Sequence, residues 1–140
     1  MKIEEYIKER VSDYYWRENV NCATTMLNTL SELYEINLDR QVIHSAIGMH
    51  GAGGFGAQCG LVEGSLMLIG ILGKEKGVPA EEIINVCYCF AQEFEGKFGS
   101  LSCKQLRPQG FKPDNPPHLC EGLTNQAVQF TVEYLERKMR

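Results

Sequence analysis

Apolar residues return every third or fourth position along almost the whole chain, a spacing that predicts helices nearly throughout. Ile3, Tyr6, Ile7, Val11, Tyr14 and Tyr15 mark one face of a first helix. A polar break at Arg17-Glu18-Asn19 follows, and Ala23, Met26, Leu27, Leu30, Leu33 and Tyr34 repeat the pattern in a second. Asn37 and Asp39 suit the end of that helix and the cap of a short third one carrying Val42, Ile43, Ala46 and Ile47. Pro79 in a first turn, backed by Glu81 and Glu82, opens another helix that runs through Phe94. The last helix starts near Pro116-Pro117-His118 and carries Leu119, Leu123, Ala127, Phe130 and Tyr134, ending in a charged, solvated tail.

Between these elements the rhythm fails in two places. From Gly48 to Gly56 glycine recurs too often for any ordinary helix. Directly after it, Cys59 to Ile69 opens a helix that is apolar nearly all round, which predicts a central position. Gly60 and Gly64 lie one turn apart there, so a second backbone can come close beside Cys59. The other irregular stretch, Pro108 to Pro117, is rich in proline and predicts a loop over the surface. Just before it, Phe98 to Leu106 predicts a turn into a short helix capped by Ser100 or Ser102. No strand, internal repeat or domain boundary emerges. The expected fold is all-α: one domain over residues 1–140, a compact bundle of five or six helices with a glycine-rich loop before a central helix.

Composition narrows the function classes more than the fold. A chain of 140 residues is long enough to bury one core without disulfide help. Its net charge of −4 argues against nucleic acid, which calls for a basic face. The N-terminus, Met1-Lys2-Ile3-Glu4-Glu5-Tyr6, is charged and unlike a signal peptide. The longest apolar run, Leu66 to Leu72, is too short to cross a bilayer, so no membrane insertion is expected. These features predict a cytoplasmic protein. In a reducing compartment the six cysteines point to redox chemistry or metal binding rather than to a disulfide framework, unless they are simply packed.

Helical phase sorts those cysteines. Cys87 shares a stripe with Ile83, Phe90, Ala91 and Phe94, whereas Cys89 aligns with Asn85, Gln92 and Glu93 on the polar side. Residues two apart on a helix point about 200° away from each other, so this pair neither chelates one ion nor forms one disulfide. The other four, Cys22, Cys59, Cys103 and Cys120, each fall at or near a predicted helix start. Unpaired backbone N–H groups and the helix dipole favour negative charge there, which lowers a thiol's pKa and favours the thiolate that attacks disulfides and binds metals. No Cys-x-x-Cys or Cys-x-x-Cys-His occurs, so if these thiols meet, four separate segments must bring them together.

Three other features carry possible chemistry. Gly51-Ala52-Gly53-Gly54-Phe55-Gly56 fits the spacing of a dinucleotide-binding loop, but a helical pattern precedes it where that loop needs a strand. His50 beside this loop and His118 two residues before Cys120 are each candidates for a thiol's base or a metal ligand. Glu63, one turn beyond Cys59 in an apolar helix, is a candidate proton shuttle for that thiol.

With Asn21-Cys22-Ala23, then Gly53-Gly54-Phe55-Gly56 leading into Cys59-Gly60-Leu61-Val62-Glu63-Gly64, then Phe98-Gly99-Ser100-Leu101-Ser102-Cys103, and finally Cys120, the chain resembles the C_GCAxxG_C_C family of redox-active proteins. Nearly the whole chain takes part, in the family's order. Leu61 stands where the motif has alanine, which bears on tight helix packing more than on thiol chemistry. Cys87 and Cys89 lie outside the pattern. The resemblance implies a redox protein and names no substrate. The leading expectation is thiol/disulfide chemistry in which one thiolate of the four, foremost Cys59, attacks a disulfide or an oxidised substrate and a second cysteine resolves the product. The rival is an iron–sulfur cluster or single metal ion held by the same Cys22, Cys59, Cys103 and Cys120, and a third reading is a binding or transport-accessory module. The redox partner, a protein or a small molecule, is not named by the sequence, and the glycine-notched helix would also suit a homodimer contact.

Overall fold

In a computed structural model, described over residues 2–139, the helical spacing resolves into five long helices and three short ones. They are α1 (Ile3–Ser12), α2 (Cys22–Leu33), α3 (Arg40–Ser45), α4 (Gly51–Gly54), α5 (Gly60–Glu75), α6 (Ala80–Phe98), α7 (Cys103–Leu106) and α8 (Glu121–Lys138). Among the described residues there is no strand, only one isolated antiparallel bridge between Gln58 and Ser102. No described helix is long and apolar enough to cross a membrane.

The apolar α5 is central as its composition predicts, packing on α2, α6 and α8. Leu61, Val62, Leu68 and Ile69 are fully buried along it. Its contact with α2 is the most extensive in the molecule, and the two glycines explain why. A methyl group on Gly64 would stand 2.6 Å from the Ala23 carbonyl oxygen, and one on Gly60 would stand 2.9 Å from that of Met49. Either substitution would force backbone atoms closer than carbon and oxygen allow. At the far end of the bundle Phe90, Phe94, Phe130 and Tyr134 form an aromatic cluster, with centroids 5.4–6.5 Å apart.

Two local distortions interrupt the regular helices. Beyond Ser12 the first helix continues as a π-helical turn, Asp13–Arg17. Such wider turns are frequent at functional sites, and this one buries two adjacent rings in different places. The Tyr14 hydroxyl donates to Glu32 of α2, which also takes two bonds of 2.9 Å from Arg10, while Tyr15 points to the other end of α2. The second distortion is α4. Gly51, Ala52, Gly53 and Gly54 all have φ between 57° and 85°, so the glycine stretch forms one left-handed turn. Only glycine adopts that conformation without cost, which is why the segment is so rich in it.

Some sequence expectations need adjustment. The last helix begins at Glu121, not at Pro116–His118. Residues 117–120 form a separate turn with His118 in the left-handed region at φ 59°, so Leu119 precedes the helix. None of Arg40–Ser45 is fully buried; Val42 packs on the core from α3, and Ala46 just past it is fully enclosed. Cys89 is not on a polar face: like Cys87 it is half-buried and packs against the core.

Candidate functional site

The four helix-start cysteines come from four segments, and each segment is positioned by a different local device. Cys22 is the first residue of α2. Asn21 before it caps the helix, its Oδ1 accepting the Thr24 N–H at 2.8 Å. The same side chain uses Nδ2 to hold the carbonyls of Ala46 and Ile47, at 3.0 and 2.7 Å, and Nδ2 also lies 3.0 Å from His50 Nδ1.

Cys59 and Cys103 are brought together by the isolated bridge. The Cys59 N–H donates to Leu101 O at 2.8 Å, and the Cys103 N–H donates to Ala57 O at 2.7 Å. Both cysteines therefore stand one residue beyond the paired Gln58 and Ser102 and project on the opposite face of this short ribbon. Cys59 then caps α5, and Cys103 begins α7. Cys120 caps α8, where its carbonyl accepts from both the N–H and the hydroxyl of Thr124. With that hydroxyl hydrogen committed, the buried Tyr15 hydroxyl is the donor in its 2.7 Å contact with Thr124 Oγ1. The π-helical turn thus locks the start of α8 behind Cys120, helped by Trp16, which donates to Glu121 at 2.8 Å.

All four cysteines line one cavity of about 240 Å³, and none is in a disulfide. Cys22 and Cys59 form its inner wall. The close approach at Gly60 places a would-be methyl only 2.4 Å from Cys22 Sγ, so Gly60 is what leaves room for that sulfur beside Cys59. Cys103 and Cys120, which flank the proline-rich stretch, form the opposite, outer wall, with Cys103 buried like Cys59 and Cys120 half-buried like Cys22. Cys103 packs against Gly51 of the left-handed turn, where a Cβ would stand 2.9 Å from the sulfur. His50 and His118 both line the cavity. The His118 ring stacks on Tyr15 and meets Trp16 edge-on, each at 4.9 Å between centroids. Leu61, the departure from the motif's alanine, is buried and also borders this space.

The expectation of helix-start positions holds, but the inference of lowered thiol pKa values does not. Burial pushes Cys59 up to about 11, against the opposing hydrogen bonds from the Leu61 and Val62 N–H groups. The Cys22 thiol is pushed higher still, first by burial and then by the neighbouring thiols. Cys103 is raised too, by burial and by Cys120, with the Arg107 guanidinium pulling the other way. Desolvation of a charged sulfur here exceeds what two or three N–H dipoles return. Burial thus opposes ionisation of Cys59, the thiol placed first as nucleophile from the sequence.

Other candidates separate cleanly. Glu63 is not a buried partner of Cys59: it is half-exposed, accepts from Gln58 on the other face of the ribbon, and does not border the cavity. No group of three or more His, Cys, Asp or Glu side chains among the described residues is placed to hold a metal ion. The glycine stretch has no strand before it, so it is no dinucleotide loop.

Four segments converging on one thiol cavity give meaning to a family-model match. The model described as "Putative redox-active protein (C_GCAxxG_C_C)" covers residues 20–134, and hence all four cavity cysteines. The chain belongs to this family. No curated protein and no solved structure matches it. The matched span begins after Tyr15, which the C_GCAxxG_C_C model omits and which helical phase alone assigns to the core face of α1. Arg107 and Phe111 also border the cavity without having been singled out from the sequence. Arg107 had one available signal, its position one turn after Cys103.

Proposed function

We propose that this C_GCAxxG_C_C protein carries out thiol/disulfide exchange, with the outer thiols Cys103 and Cys120 meeting the substrate and the inner thiols Cys22 and Cys59 extending the redox capacity. The observation that carries this reading is the shared cavity: four cysteines from four chain segments border one space. Cys22 and Cys59 meet at the α2–α5 contact beside Gly60, whereas Cys103 and Cys120 flank the proline-rich stretch, which supports an inner and an outer pair. Cys120 acts on both Cys22 and Cys59, linking the pairs.

In the forward direction one outer thiol loses its proton and attacks a substrate sulfur. The substrate S–S bond breaks, one half leaves as a thiolate and takes up a proton, and the other half remains in a mixed disulfide with the protein. The second outer thiol attacks the protein sulfur of that bond, releasing the second half and closing a Cys103–Cys120 disulfide. Two protein thiols are oxidised and one substrate disulfide is reduced to two thiols. Because burial raises the Cys103 thiol, attack by Cys103 quickens with pH as its thiolate fraction grows.

Equilibration of the protein in a graded thiol/disulfide buffer, quenched by alkylation and read by mass spectrometry, tests this. Reversible loss of cavity thiols is expected, with Cys87 and Cys89 alkylated throughout. Cys103→Ser or Cys120→Ser should each stop the exchange, whereas Cys22→Ser should only halve the number of thiols consumed. A set of four thiols that stays alkylated across the whole range, or stoichiometric iron in anaerobically purified protein, would overturn the reading.

A further inference from the structure

The thiol cavity opens past a cation that has no acidic partner among the described residues. Arg107 borders the cavity and also an adjoining hollow of about 280 Å³ on the far side of Cys103, whose walls include Phe55 and Lys104. Its guanidinium is held rather than waving in solvent: Nε donates to Gly110 O at 2.7 Å, and the group lies over the Phe111 ring at 4.0 Å. No carboxylate of the described residues lies within ion-pair distance of it, although four ion pairs form elsewhere. Lys104 adds a second positive charge beside the hollow, its ammonium 4.9 Å from the centre of the exposed Phe55 ring. This is a positive mouth on a chain whose net charge is −4. A fixed fork with its two terminal nitrogens unengaged is the geometry that takes a carboxylate in two parallel hydrogen bonds.

We infer that the disulfide exchanged in this cavity is a small molecule bearing a carboxylate, bound through Arg107 with its sulfur at Cys103. The inference rests on the proposed exchange chemistry and adds the class of substrate. A cavity of about 240 Å³ lies below the usual range for drug-sized ligands, so it admits one short arm of such a molecule. The carboxylate would sit at the mouth on Arg107, which is one turn along from Cys103, and the S–S bond would enter over that thiol. The substrate is the oxidant, Cys103 and Cys120 supply two electrons, and two carboxylated thiols leave. Arg107 also lowers the barrier at Cys103 by steadying its thiolate, which would help any disulfide; the carboxylate contact is the part that discriminates.

Two disulfides of equal reach separate these effects, dithiodipropionate with its carboxylates and hydroxyethyl disulfide without charge. Rates of thiol loss for the wild type, Arg107→Gln, Arg107→Lys and, as a control for one unit of charge at the other end of α5, Lys74→Gln would be read for both reagents over a range of pH. The wild type should prefer the carboxylated disulfide despite its own negative charge. In Arg107→Gln that preference should fall roughly tenfold, the value of a charge-assisted hydrogen bond, with Arg107→Lys in between and Lys74→Gln unchanged. Equal slowing toward both reagents would show that Arg107 acts on the thiol alone and overturn the substrate assignment, leaving exchange intact. No reaction with either reagent would instead sink the exchange reading itself.

Discussion

Cys22 and Cys59 stand on helices whose backbones touch, whereas Cys103 and Cys120 bracket a proline-rich segment that bonds mostly to itself. On the inner side, Gly60 and Gly64 let α5 settle against Ala23, and Asn21 ties the start of α2 to the end of α3. On the outer side, the side-chain bonds of the 107–120 stretch run within it, from Arg107 to Gly110 and from Asn115 to Gln109 and Gly110. It reaches the rest of the fold mainly through rings, Phe111 against Gly54 and His50, and His118 against Tyr15. Packing fixes one pair of thiols, and a strapped loop delivers the other. A protein that must keep two sulfurs sheltered and present two to a substrate needs both kinds of wall, since elements that bind or open come from the less cohesive part of a structure.

The strongest way to break the inner wall is to put a methyl group between α2 and α5. Gly64→Ala meets the Ala23 carbonyl oxygen at 2.6 Å, and neither backbone can yield without separating the helices. A loss of about 3 kcal/mol is expected in urea unfolding, at the upper end for overpacking. Gly96→Ala is the matching control in α6, where a new Cβ meets nothing within 4 Å. It should stabilise by up to about 1 kcal/mol, as alanine does over glycine in a helix. A similar response in both variants would mean that the glycine notch is not what seats Cys22 beside Cys59.

A smaller effect probes the brace at the far end of α2 from Cys22, where Glu32 accepts from Arg10, Tyr6 and Tyr14. Burial alone would raise its carboxyl pKa, but the Arg10 and Tyr14 hydrogen bonds outweigh it and the net direction is down. A depressed carboxyl contributes stability above its unfolded pKa and loses it as pH falls through the folded value. The wild type should therefore lose stability below about pH 4.3. Glu32→Gln should lose about 1 kcal/mol less over the same interval, a figure kept small by the partial exposure of the network. Parallel pH curves for the two proteins would show that the brace contributes nothing to stability.

The same contrast explains what could be read from the sequence. Helical periodicity carries the inner side well: the apolar α5, its two glycines and the start of α2 behind Asn21 are all visible as spacing, because local geometry dictates them. The phase argument also separates Cys22, Cys59, Cys103 and Cys120 from Cys87 and Cys89. It fails for Cys89 because half-burial depends on what packs beside α6, not on its own stripe. It fails for thiol pKa values because helix dipoles are local whereas desolvation is set by the whole cavity. On the outer side, Arg107, Phe111 and Tyr15 meet the thiols only through the tertiary fold. The Gln58–Ser102 bridge is too short to leave an alternating pattern, although it is what aligns Cys59 with Cys103.

The left-handed turn joins the two walls, and it supplies the finest test. Gly51 touches Cys103 of the outer wall, while Met49 just before the turn lies against Gly60 of the inner one. Ala52 is the one residue of the turn that is not glycine, held at φ 57° and ψ 63° with its methyl exposed to solvent. Left-handed backbone costs an alanine roughly 1–2 kcal/mol. Ala52→Gly removes that cost but gives the unfolded chain more freedom, which returns about 0.5–1 kcal/mol. A net gain of about 0.5 kcal/mol in unfolding is expected, with the alkylation rates of Cys22 and Cys103 unchanged because no packed atom is lost. A change in both rates would mean that the strain at Ala52 is what holds the two walls in register. A change at Cys103 alone would place the turn wholly with the outer wall and sharpen the division between the two pairs.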